Sequence, residues 1–251
     1  MRALVRGVPD SFGNALSAKP RAVPIDVALA REQVATYREL LQALGLIVTS
    51  LAADDRFPDC VFVEDTALVA NDLALIARPG APARRGETAA VADALAPYVE
   101  LAYVTEPATL DGGDCMRLGS TIYVGRSARS NAGGIAAIDD AFTPRGFRVV
   151  AVDLPPGVLH LKCVCSPLAD DRVLLARGTL AESVFDAAIV WVHADETYAA
   201  NAVAVGGHVL VAAGFPRTHA ALVEAGFAVR PIPTSEVQKA DGSLTCQSIL
   251  F

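Results

Sequence analysis

Five stretches of the chain repeat one pattern at a spacing of roughly 45 residues, and no other feature limits the fold as strongly. Each full unit has a short apolar strand, a polar break, a second strand ending in a turn, and then a helical segment. The units are CVFVEDTALVANDLALIARPG, LDGGDCMRLGSTIYVGRS, LHLKCVCSPLADDRVLLARG and NAVAVGGHVLVAAG, with LTCQSILF as a half-unit at the end. Apolar, β-rich runs flank the turn signals AND, GS, ADD and GG, which predicts hairpins. Between the hairpins, VALAREQVATYRELLQALG carries apolar residues at i, i+3, i+4 and i+7, with Gly45 as its stop. GETAAVADALAPYVE, NAGGIAAIDDAF, LAESVFDAAI and RTHAALVEAGF are also read as helical, and strands such as FRVVAVDL and AVRPIPT follow most helices.

These ββαβ units predict a mixed α/β fold, one domain over residues 1–251, closed as a five-bladed pseudo-fivefold propeller. Helices lie outside, and the first strand of each blade lines an axial channel. TCQSILF would complete the first blade beside RALVRG and remove an exposed sheet edge.

Composition excludes several alternatives. A chain of 251 residues with 53% hydrophobic and 20% charged residues buries a sizeable core. No window approaches the roughly 18–20 uninterrupted apolar residues of a membrane span. No apolar signal core precedes Pro9, so a cytoplasmic location without membrane contact is expected. A net charge of -7 argues against a nucleic-acid partner. The five cysteines form neither a disulfide framework nor a paired C-x-x-C zinc site. Cys163 and Cys165 of CVC are read as structural residues on one face of a strand.

Aligning the units places Glu64-Asp65, Asp111, His160, Asn201 and Cys246 in one slot of successive blades, converging on the axis. Taken singly, Cys246 reads as a buried thiol and His160 as a core imidazole. Asp111 of TLDGGD reads equally as a turn residue. Glu64 and Asp65 interrupt an apolar run, where a buried carboxylate needs a partner or a cation. The shared phase changes this reading, because carboxylates, an imidazole and a thiol in one channel suit cysteine-based covalent catalysis. His193, His208 and His219 occupy no such phase and are read as ordinary surface or loop residues.

PDCVFVEDTAL, IARPGAPARRGE, TLDGGD, VGRSARSNAGG, LHLKC and KADGSLTCQSILF run in order over essentially the whole chain. In these segments the chain resembles the dimethylarginine dimethylaminohydrolases, within the guanidino-modifying superfamily of five-bladed propellers. The resemblance implies a hydrolase that converts N-methylated arginines to citrulline and methylamine or dimethylamine without a metal or organic cofactor. It makes Cys246 the nucleophile, His160 the general acid and base, and Asp111 the group that orients the imidazole. Glu64 and Asp65 would grip the guanidinium; Arg84 and Arg129 would clamp the substrate α-carboxylate. Asp59 would meet the α-ammonium with the backbone carbonyls of Leu16 and Ala240. VPDSFGNALSAKP is similar to the family's active-site lid. The family resemblance is also compatible with a homodimer.

Two departures bear on substrate preference: Ala240 stands where relatives often carry a larger β-branched residue, and the lid is slightly short. An arginine deiminase-like or amidinotransferase-like activity is the alternative within the superfamily. A non-enzymatic binding protein of the same fold would have no use for Cys246, His160 and Asp111 in phase.

Overall fold

The computed structural model describes residues 1–18 and 20–251; Lys19, within the expected lid, lies outside the described residues. The strands in chain order are β1 (Arg2–Arg6), β2 (Ile47–Leu51), β3 (Ala67–Ala70), β4 (Leu73–Ile76) and β5 (Glu100–Tyr103). They continue with β6 (Cys115–Leu118), β7 (Thr121–Arg126), β8 (Arg148–Asp153), β9 (Cys165–Ala169) and β10 (Arg172–Ala176). The last are β11 (Ala188–Val192), β12 (Val203–Val205), β13 (His208–Ala212), β14 (Ala228–Ile232) and β15 (Ser248–Leu250).

Among the described residues these strands make five three-stranded sheets. In each, the first strand pairs antiparallel with the second and the second pairs parallel with the third. The antiparallel pair needs only a tight turn. Asn71, Gly119, Gly206 and Gly207 take the left-handed conformation at three of these hairpins, as the sequence signals predict. The parallel pair needs a crossover, which α1 (Val27–Ala43), α2 (Thr88–Leu95), α3 (Ala132–Phe142) and α4 (Pro216–Glu224) supply in four blades. β15 pairs with β1, Ala3 opposite Leu250, so the two ends of the chain share the first blade.

The core lies between blades. One apolar cluster joins Leu68 and Leu75 to Ile122 and Phe142; another joins Met116 and Tyr123 to Val173 and Leu175. Three further clusters link each remaining pair of neighbours and complete the ring. Helix α1 shows how the sequence builds one outer layer. Asp26 caps it by accepting from the Leu29 N–H at 3.0 Å, and Ala30, Val34, Tyr37 and Leu41 form its buried stripe. Burying each of the large side chains contributes roughly 1.5–3 kcal/mol. The Tyr37 hydroxyl meets Ser248 Oγ at 2.8 Å, tying this helix to the strand that follows Cys246.

Three local expectations are corrected. LAESVFDAAI is not a helix but a single 3-10 turn, Glu182–Val184, followed by β11. The connection from Ala176 must first reverse at Gly178, and the apolar AIVWV run is taken by parallel pairing with β10. Cys163 and Cys165 do not share a strand face: Cys163 ends the 3-10 turn Leu161–Cys163, whereas Cys165 opens β9. The first strand of the second blade does not run through CVFVEDTALVA, because a 3-10 turn, Val63–Thr66, precedes β3.

Candidate active site

That turn recurs. The 3-10 turns Val63–Thr66, Gly112–Asp114, Leu161–Cys163 and Thr245–Gln247 each lie just ahead of the first strand of a blade. Asp111 and His160 flank their turns on the N-terminal side, and Asn201 follows the 3-10 helix Ala194–Ala200. The five aligned positions therefore do occupy equivalent places, in the turn region rather than on the strand itself. A 3-10 turn directs side chains off the sheet face, so residues from distant parts of the sequence meet at one end of the axis.

Of these, Asp65, His160 and Cys246 line a cavity of about 160 Å³, together with Leu16, Asp59, Arg84, Arg129 and Ala240. Asp111 stands behind His160, fully buried, with its Oδ2 3.0 Å from the imidazole Nε2. The Gly80 N–H donates to Asp111 Oδ1 at 2.8 Å, and Arg129 lies 3.6 Å from Oδ2. The opposite ring nitrogen, Nδ1, is 3.8 Å from Asp65 Oδ1, which also accepts from the Gly113 N–H at 3.0 Å. The glycines of LDGGD are required by close approach. A Cβ on Gly113 would fall 2.6 Å from His160 Nδ1, and one on Gly112 would fall 1.9 Å from the Glu64 carbonyl oxygen.

Electrostatics set the resting protonation state. Burial favours neutral His160, but Asp65, the Asp111 hydrogen bond and Asp114 outweigh it and raise the imidazole to about 9. Burial likewise works against ionised Asp65, but His160 and Arg84 bring its carboxyl down to about 2. Burial, then Glu64 and Asp65, push the Cys246 thiol well up, opposed by the Ser243 N–H that points at Sγ from 3.4 Å. The ligand-free site at neutral pH thus holds an imidazolium, a carboxylate and a protonated thiol.

A stability consequence follows from the raised imidazole. Its unfolded pKa is near 6.5 and its folded value near 9, so its contribution is fully present below about 6.5 and disappears as pH rises through about 9. Urea denaturation across this range is expected to show a decline on the order of 1–3 kcal/mol. The decline begins before unfolded thiols titrate near ~8.5. His160→Asn should abolish the part of it that sets in below that value; an unchanged profile in the variant would remove His160 as its source.

Two expected binding residues behave differently. Glu64 does not line this cavity: its Oε1 lies 2.5 Å from Lys162 Nζ and its Oε2 accepts from Thr245 Oγ1 at 2.7 Å. It faces a second cavity, of about 190 Å³, together with Lys162, which leaves Asp65 as the member of the pair on the first cavity. Arg84 reaches the cavity wall, but its donors are taken within the protein. Nε and Nη2 fork onto Glu87, Nη2 also meets the Phe62 carbonyl at 2.9 Å, and Nη1 pairs with Asp65. An expected carboxylate clamp is here the counter-ion of two buried acids; Arg129, 22% exposed, is the freer cation. Asp59 accepts from the Leu16 N–H at 3.0 Å, which ties the segment expected as a lid to the cavity wall.

Glu87, Lys162 and Thr245 are partners that the sequence reading missed. Glu87 carries a usable signal, three residues after Arg84 in RRGE, whereas the Lys162–Glu64 pair spans two blades and has none. Asp65, Asp111 and His160 offer atoms within 4.8 Å of one another, as a metal site would. Arg84 and Arg129 already supply the counter-charge to both carboxylates, so the group is built as an ion-pair network.

Five three-stranded blades, four of them with a crossover helix, around an axial cysteine, histidine and carboxylates define a pentein-type hydrolase of the guanidino-modifying superfamily. No family model matches the chain. It is 35% identical over its whole length to the N(G),N(G)-dimethylarginine dimethylaminohydrolase of Pseudomonas aeruginosa, covering 97% of that protein. It is 39% identical to the Streptomyces coelicolor protein of the same name, over 99% of this chain and 96% of the relative. The crystal structure of the Pseudomonas aeruginosa enzyme, a cysteine-to-serine variant complexed with citrulline, superposes with a TM-score of 0.93 at 34% identity, over 100% of this chain and 98% of that one. The chain belongs to the dimethylarginine dimethylaminohydrolase family. Among the described residues no helix is long and apolar enough to cross a membrane.

Proposed function

We propose that this protein hydrolyses the guanidinium carbon of N-omega-methylated arginines to citrulline and methylamine or dimethylamine, acting on C–N bonds of linear amidines. The observation that carries this reading is the charge layout of one cavity, with Cys246, His160 and Asp65 on its wall and Asp59 and Arg129 sharing it. A guanidino amino acid needs an anion for its guanidinium, an anion for its α-ammonium and a cation for its α-carboxylate. Asp65, Asp59 and Arg129 provide that set.

A guanidinium carbon is a poor electrophile, because its charge is delocalised over three nitrogens. Asp65 holds the planar group over Sγ and supplies orientation. The bound cation and imidazolium His160 favour the thiolate of Cys246, whose proton leaves to solvent. Attack forms the C–S bond and a neutral tetrahedral adduct. His160 then protonates the departing nitrogen, the C–N bond breaks, and an S-alkylthiouronium remains. Neutral His160 takes a proton from water as the oxygen attacks the same carbon. Collapse of that second adduct breaks the C–S bond, releasing the ureido product and Cys246. Asp111 stabilises the imidazolium in each half-reaction through its 3.0 Å bond.

All five cysteines are free, which suits a reducing compartment such as the cytoplasm. The reading is tested by measuring citrulline release from asymmetric dimethylarginine, monomethylarginine and arginine. Turnover of the methylated substrates is expected. Turnover of arginine alone would move the protein to the deiminases, and turnover of none would overturn the assignment.

A further inference from the structure

Asp114, the second carboxylate of LDGGD, is fully buried and takes no part in the steps above. Its Oδ2 accepts from Ser127 Oγ at 2.6 Å and from Ser130 Oγ at 2.7 Å, and its Oδ1 accepts from the Leu161 N–H at 3.1 Å. Each serine oxygen in turn accepts from backbone. Ser130 Oγ receives the Asp111 N–H at 3.1 Å, and Ser127 Oγ receives the Arg129 N–H at 3.0 Å. Leu161 directly follows His160. Gly125 leaves room for the arrangement: a Cβ there would lie 2.7 Å from Asp114 Oδ1.

We propose that Asp114 is a positioning residue of this active site, a single buried carboxylate that sets Asp111, Arg129 and His160 in mutual register through Ser127, Ser130 and the Leu161 N–H. It rests on the hydrolase reading for what those three residues do, but on geometry alone for how they are held. The chemistry specifies a carboxylate. Both hydroxyl oxygens already accept from backbone N–H groups, so both hydroxyl protons must be donated, and a third donor arrives from Leu161. An ionised carboxyl is an acceptor at both oxygens and satisfies all three. An asparagine presents an N–H₂ group on one side, so it sets donor against donor either at the serines or at Leu161.

The carboxylate also faces the imidazole. Among the described residues, the titratable and charged groups around His160 are Asp65, Asp111 and Asp114, with Arg84 and Arg129 paired to the first two, Cys163 on its own turn, and Cys246, Asp59 and Asp241 across the cavity. Asp114 is one of the charges that keep the imidazole protonated, so its neutralisation moves the His160 titration to lower pH.

The test uses the full chain carrying Asp114→Asn, Ser127→Ala or Ser130→Ala, with asymmetric dimethylarginine as substrate and the imidazole titration of His160 followed by NMR. Asp114→Asn is expected to lower kcat roughly 10- to 100-fold and to shift the His160 titration downward. Ser130→Ala loosens Asp111 and should act on kcat, whereas Ser127→Ala loosens Arg129 and should act on KM, each by about 3- to 10-fold. A folded Asp114→Asn with parental kcat and parental titration overturns the proposal. If that variant does not fold, the serine variants decide: changes in melting temperature with unchanged kcat and KM overturn it. Should the parent turn over no methylarginine, the proposed reaction fails by itself. The NMR shift still judges Asp114.

Discussion

Cys246→Ser is expected to bind asymmetric dimethylarginine within a few-fold of the parent affinity and to form citrulline at least roughly 10⁴-fold more slowly. The substitution changes one atom at the cavity wall and leaves Asp65, Asp59 and Arg129 in place. What it removes is chemical. A serine hydroxyl is far harder to ionise than a thiol, and the neighbouring imidazole cannot take its proton, because His160 rests as imidazolium, held there by Asp65 and Asp111. An alkoxide is also a poorer leaving group from the second tetrahedral adduct, so both half-reactions suffer. Isothermal titration separates binding from turnover. A variant that keeps turnover within tenfold of the parent would eliminate covalent catalysis by Cys246. In the parent, the raised thiol makes a further expectation: alkylation of ligand-free Cys246 by iodoacetamide should still be rising above pH 9, without a plateau at neutral pH.

Arg84→Met is expected to destabilise the fold by about 3–5 kcal/mol at pH 7. Arg84, Asp65 and Glu87 are all at least 95% buried by side chain, and the guanidinium is the cation between the two acids. Removing it leaves Asp65 buried beside His160 without its arginine, and it forces Glu87, already raised to about 7 by burial, to take up a proton. Arg84→Lys should recover only part of the loss, because a point charge cannot fork onto Glu87 and reach Asp65 together. The double variant Arg84→Met/Glu87→Gln should be more stable than the single one, since an amide needs no counter-ion. Urea midpoints at constant slope measure all three. A loss below about 1 kcal/mol in Arg84→Met, with KM alone raised, would return Arg84 to the substrate clamp that the family resemblance implies.

Much of this architecture is legible in the sequence. The hairpins read because their turns carry Asn71, Gly119 and the Gly206-Gly207 pair at positions that need a left-handed backbone. Helix α1 reads because a clean apolar stripe runs up to Gly45. Cys246, His160, Asp111 and Asp65 read as one site because they share a phase, and the structure groups them at one end of the axis. The misreadings are of another kind. LAESVFDAAI has a helical pattern, yet parallel pairing with β10 claims its last two residues, Ala188 and Ile189. Glu64 and Asp65 are adjacent and chemically alike, yet they face different cavities and different cations.

The ring, and the common phase of the candidate site residues, follow from the repeat along the chain. Alternation, turn chemistry and repeat length act along the backbone, and a repeated backbone places its equivalent residues alike. Packing sets which carboxylate meets which cation: Glu64 with Lys162, Asp65 with Arg84, Asp111 with His160. Those choices depend on distances of a few ångströms between blades and on the cost of burying an unpaired charge, which no spacing along the chain records.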